Sequence, residues 1–117
     1  MKKVVVKNLN TNIIVAHEAV WADNFLSRLQ GLMGRKAFNP GEGLILFPCQ
    51  MVHSFGMRFA IDLLFVSPTY QVVNAIERLT PYKVSPWVSA AQFVLELPMG
   101  QIKESKTEIG HRLAIYS

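Results

Sequence analysis

Cys49-Gln-Met-Val-His53-Ser-Phe-Gly-Met57-Arg58-Phe-Ala-Ile-Asp62-Leu-Leu-Phe65-Val66 carries both the architectural and the chemical signal of this chain. Its second half is an apolar run of strand length, ended by Ser67-Pro68 and interrupted only by Asp62. Alternate side chains of an extended chain face opposite ways. Phe59, Ile61, Leu63 and Phe65 therefore share one face, and Ala60, Asp62, Leu64 and Val66 share the other. Both faces are apolar, so the strand is expected to be central or covered on both sides. The first half gathers thiol, thioether, imidazole and guanidinium groups, and a site is expected there.

Outward from this stretch the chain reads as further short strands. On the N-terminal side, Gly43 to Phe47 is an apolar strand stopped by Pro48. Val4 to Val6 and Ile13 to Ala16 flank an Asn-rich turn, Asn8-Leu-Asn10-Thr-Asn12, and predict a hairpin, because β-branched residues suit strands and asparagine suits turns. Between them Asp23 is a candidate N-cap for an amphipathic helix over residues 24–33, with Phe25, Leu26, Leu29, Leu32 and Met33 at three-to-four spacing. Asn39-Pro40-Gly41 then marks a turn.

Past Pro68-Thr69-Tyr70, residues 71–79 predict a returning strand. Residues 80–91, with Pro81, Pro86 and Trp87, predict a long irregular segment of the kind that is functional or packed across a core. Residues 93–97 form a strand apolar on both faces except for Glu96. Residues 100–106 suit a short helix, and 110–116 a final strand. Many strands and few helices predict a β-rich α+β fold. We expect one domain over residues 1–117, a closed or partly open β-barrel with one or two short helices.

Composition narrows the class. Hydrophobic residues make up 50% of the 117 and charged ones 17%, which fits a packed globule and excludes disorder. Cys49 is the sole cysteine, so no internal disulfide forms and a reducing, cytoplasmic setting is expected. The valines after Lys2-Lys3 are too few for a signal peptide, and no apolar run approaches the roughly 20 residues of a membrane helix, so no membrane association is expected. The net charge of +4 comes from scattered basic residues, with no arginine-rich run or zinc-finger spacing, so nucleic acid is not the expected partner.

Four ordered blocks carry a family resemblance: Arg28 to Arg35 with Gly31-Leu-Met-Gly34, Gly43 to Phe47, His53 to Phe65, and Val94-Leu-Glu96-Leu-Pro-Met-Gly100. Together they resemble the bacterial and archaeal family catalogued as domain of unknown function 192. The resemblance implies a small β-rich single domain and no known reaction. Some members carry a secretion signal or lipid anchor, which this chain is read as lacking. Gly110-His111 stands where the family's Gly-Asp is usual, and Pro68-Thr69-Tyr70 where an Asp-Gly turn is usual.

Cys49, Met51, His53, Phe55 and Met57 alternate, so an extended chain puts them on one side, while Cys49, His53 and Met57 also align on a helix. Such soft ligands suit copper(I) or, in part, zinc, yet no paired Cys or nearby second His completes a set. Cys49, His53 and a carboxylate could instead form a nucleophile, base and orienter. Asp62 and Glu96, alone in apolar strands, must be paired, hydrogen-bonded or neutralised. The structural expectation is an ion pair to Arg28, Arg35 or Arg58; the functional one is a carboxyl poised for proton transfer. Tyr70, Tyr82 and Trp87 would line a groove or seal the barrel ends.

The leading expectation is a non-enzymatic binding or accessory module. Its pocket would be edged by Cys49, His53, Met57 and Arg58 and supported by Asp62 and Glu96, and its partner would be a small molecule or a protein. No cofactor and no metal site are assigned. The alternatives are a small hydrolase or transferase, or a soft-metal protein using Cys49, His53 and Met57.

Overall fold

Strand β1 (Lys3–Asn8) and strand β2 (Ile14–Ala22) pair antiparallel around the Asn-rich turn. The structure, a computed structural model, describes residues 2–22, 24 and 32–117. The expected helix over 24–33 lies almost wholly outside the described residues. Asn8 makes the turn: its Oδ1 accepts the N–H groups of Asn10 and Thr11, and its carbonyl accepts that of Asn12, which takes a φ of 63°. β2 runs six residues further than the apolar pattern suggested, because its Ala19 and Ala22 are buried while His17 and Glu18 face solvent.

Five more strands complete one sheet: β3 (Glu42–Leu46), β4 (Ile61–Val66), β5 (Val72–Leu79), β6 (Phe93–Pro98) and β7 (Leu113–Tyr116). A short helix, α1 (Gln101–Ser105), follows β6 and is the single one among the described residues. The order across the sheet is β5-β4-β6-β3-β2-β1-β7. Only β2 and β3 pair parallel. The register sets Glu96 opposite both Leu44 and Leu63, and Asp62 opposite Leu97.

The sheet buries both faces. One core, enclosed by the curl of the sheet and by Ile102 of α1, holds Val6, Val15, Ile45, Leu64, Val66, Phe93, Leu95 and Leu97. The second, on the opposite face, holds Leu46, Ile61, Leu63, Phe65 and Val94 from the strands. Three connections cover it, contributing Leu32 and Phe38 before β3, Val52 and Met57 between β3 and β4, and Val88 and Ala91 between β5 and β6. As the double apolar pattern requires, β4 and β6 are buried along their whole length.

The barrel does not close. Edge strands β5 and β7 meet only where they begin, at the Gln71–Arg112 bridge, with Val72 N donating to the His111 carbonyl and Leu113 N to that of Tyr70. Being antiparallel, they run apart from this corner: β5 continues beside β4 while the four-residue β7 follows β1. Pairing stops after one bridge for that reason.

Candidate functional site

The connection between β3 and β4 does not stand alone. It is laced to the connection between β5 and β6: Cys49 N donates to the Gln92 carbonyl, Val88 N to Gln50, Ser85 N to Val52 and Ser54 N to Lys83, each within 3.0 Å. His53 and Val84 form an antiparallel bridge. Two buried serines fix the crossing. Ser54 Oγ donates to the Thr80 carbonyl at 2.6 Å and accepts from Lys83 N at 2.9 Å, and Ser85 Oγ accepts from Val52 N at 2.9 Å. Both hydroxyls thus satisfy backbone groups that the irregular path would leave without partners.

Along this clasp Val52 and Ser54 point inward, so Met51, His53 and Phe55 point out. The alternate-face expectation holds for these three and ends at Gly56, whose φ of +80° turns the chain. Met57 N closes that turn on the Ser54 carbonyl, and Met57 is delivered into the second core, 6% exposed. Cys49 is half-buried against the same core, and its Sγ donates to the Met51 carbonyl at 3.1 Å. The expected stripe of thiol, imidazole and thioether is therefore divided between surface and interior. Among the described residues no group of three or more His, Cys, Asp or Glu could hold a metal ion.

His53 Nδ1 accepts the N–H of Phe55 at 3.2 Å, which places the proton of the neutral ring on Nε2. Its ring stacks on Phe55, with centroids 5.4 Å apart at 26°, and Phe55 lies 6.3 Å from Tyr82. Met33 rests on Gly56, where a Cβ would come within 2.5 Å of its Cγ. Phe55 (47% exposed), Tyr82 (70%) and Trp87 (66%) are large apolar groups in water, as are Met33, Met51 and Val84. We call this row the ridge. Arg58 and Lys83, close in sequence to Phe55 and Tyr82, are exposed, and they are the only charged residues in segments 49–60 and 80–92.

The two strand carboxylates, one register step apart, lie on opposite faces and in opposite states. Asp62, fully buried toward α1, accepts three backbone N–H groups: Arg78 on Oδ1 at 3.0 Å, and Gly100 and Ile102 on Oδ2 at 3.1 and 3.0 Å. Arg78, at a φ of 60°, sits in the bulge where β5 slips against β4, so one carboxylate serves both the bulge and the start of α1. Among the described residues main chain takes the place of the expected arginine partner; Arg28 lies outside them. Arg35 instead pairs with Glu42 at 2.9 Å and lies over Phe38, and Arg58 is exposed. Partial burial of Glu42 would raise its pKa, but the Asn39 N–H and the Arg35 guanidinium outweigh it and lower it below the ordinary range.

Glu96 faces the second core between Leu44 and Leu63, 1% exposed, and its Oε1 has no hydrogen-bond partner among the described residues. Burial pushes its pKa up to about 8, so the carboxyl is neutral at pH 7. Met57 and Cys49 share this face, whereas Asp62 does not. The sequence reading had no signal for Ser54 or Ser85, since single serines follow no pattern. It did single out Tyr82 and Trp87, which are exposed, and Tyr70, which packs edge-on against Phe93 at 5.6 Å in the enclosed core.

No helix among the described residues is long and apolar enough to cross a membrane. A UPF0127 protein of Pyrococcus abyssi is 35% identical over 98 residues, covering 79% of this chain and 80% of its own. Two solved structures share the fold. A protein of unknown function from Novosphingobium aromaticivorans superposes with a TM-score of 0.82 at 20% identity, over 96% of this chain and 83% of its own. A candidate transcription regulator of Sinorhizobium meliloti gives 0.80 at 22%, over 97% and 92%. The sequence profile of domain of unknown function 192 (DUF192), described as an uncharacterized ACR, matches residues 5–115, and the chain belongs to that family.

Proposed function

We infer that this protein is a non-enzymatic binding module whose recognition surface is the ridge on the clasp. The carrying observation is the row of a half-buried His53 with Phe55 and Tyr82, the latter two exposed in water, all held on two segments cross-bonded through Ser54 and Ser85. Exposed aromatic groups on a fixed backbone lose little conformational freedom when covered, which is how a few anchors come to dominate an interface. A random peptide library displayed on phage and selected on the native protein tests this. Peptides are expected that bind the native protein and fail on a Phe55→Ser, Tyr82→Ser double variant. Selected peptides that bind both proteins equally would remove the ridge as the recognition surface.

Glu96 favours a second reading. A buried, neutral carboxylic acid whose Oε1 no described residue bonds can exchange a proton with a bound substrate, as a small hydrolase or transferase would need. Turnover of an ester, thioester or amide that disappears in Glu96→Gln, with the fold intact, would replace the binding reading by this one.

A further inference from the structure

We propose that the ridge takes an acidic peptide segment of a partner protein, with apolar side chains seated on Phe55, Tyr82 and Met51 and carboxylates facing Arg58 and Lys83. This rests on the binding reading above and adds the partner's chemistry.

The argument is charge complementarity. Segments 49–60 and 80–92 carry two exposed cations, Arg58 and Lys83, and no acid, beside the half-buried His53. An apolar ligand bearing carboxylates gains from both features, and a basic one is repelled. A second copy of this chain fits poorly, because a two-fold contact through the ridge would set Arg58 and Lys83 of each copy against the same charges. Single-stranded nucleic acid also favours aromatic and basic groups, but it needs a cationic track following several phosphates. Here the segments supply only two cations, and the exposed groups include Met33, Met51 and Val84, whose aliphatic side chains suit peptide side chains better than bases.

The test sequences the ridge-dependent peptides from the library and measures their affinity by fluorescence anisotropy. Enrichment in Asp and Glu beside aliphatic or aromatic residues is expected. Affinity should fall about tenfold in an Arg58→Gln, Lys83→Gln double variant, since two exposed ion pairs contribute little each, and should weaken as salt is raised from 50 to about 500 mM. Ridge-dependent peptides that are neutral or basic would overturn the acidic partner and leave the binding reading standing. A library that yields no ridge-dependent peptide would overturn both. Tighter binding of a single-stranded oligonucleotide, or a dimer in light scattering abolished by Phe55→Ser, would assign the ridge to another occupant and overturn the proposal.

Discussion

Replacing Glu96 by glutamine keeps the shape of the side chain and removes its proton equilibrium. In the unfolded chain this carboxyl titrates near 4.5, whereas between Leu44 and Leu63 burial raises it to about 8. The folded state therefore holds its proton more tightly than the unfolded one. The stabilisation is fully present below pH 4.5 and is lost as pH rises through the window to about 8. Across that window each pH unit lowers the folding constant tenfold, on the order of 5 kcal/mol in all. Urea unfolding of the native protein and of Glu96→Gln at pH 5, 6, 7 and 8 isolates this contribution, because every other titrating group is common to both. The native protein should lose on the order of 3 kcal/mol relative to the variant between pH 5 and 7. Parallel pH profiles would show that Glu96 is ionised in the folded state, and the neutral buried acid would be refuted.

Asp62→Asn should be costly, because an amide NH2 turned toward the N–H of Arg78, Gly100 or Ile102 cannot accept from it. A loss of about 3 kcal/mol is expected, read as a fall of roughly 10 °C in Tm by calorimetry; an unchanged Tm would contradict the bonding described. Ser54→Ala removes the hydroxyl that accepts from Lys83 N, costing about 1–3 kcal/mol. Hydrogen exchange should then quicken at Tyr82 and Lys83 and stay unchanged along β1; uniform acceleration would mean that Ser54 holds the whole fold rather than the clasp. Glu42→Gln should cost no more than about 1 kcal/mol, given the half-exposed Arg35 beside it. The lowered pKa of Glu42 places its small stabilisation above pH 4.5, to be lost on acidification. A urea-unfolding loss several times larger would show that the pair is a structural anchor.

Alternation made the strands legible. Phe59 to Val66 and Phe93 to Leu97 were apolar on both faces in sequence because they lie in the interior of a sheet covered on both sides. Closure was not legible, since it depends on how the edges meet, and the single bridge at Gln71 and Arg112 leaves no mark in either strand's composition. The contrast between Asp62 and Glu96 was hidden for a related reason. Each is one carboxylate in an apolar strand, and only the cross-strand register decides that one meets three N–H groups while the other meets leucines. The even spacing places Met51, His53 and Phe55 on one face as expected, but Cys49 packs against the second core and the left-handed Gly56 redirects Met57.

The pairing of β1 with β7 determines how this domain answers to force. Val5 lies opposite Tyr116 and Asn8 opposite Leu113, so residue 3 and residue 116 lie at the same end of an antiparallel pair. Tension applied between those two points loads the hydrogen bonds one after another, as a zipper is drawn, instead of all at once in shear. The outermost strand peels away first at low force, while the central β4–β6 ladder, six residue pairs long, carries none of the load until β7 has left.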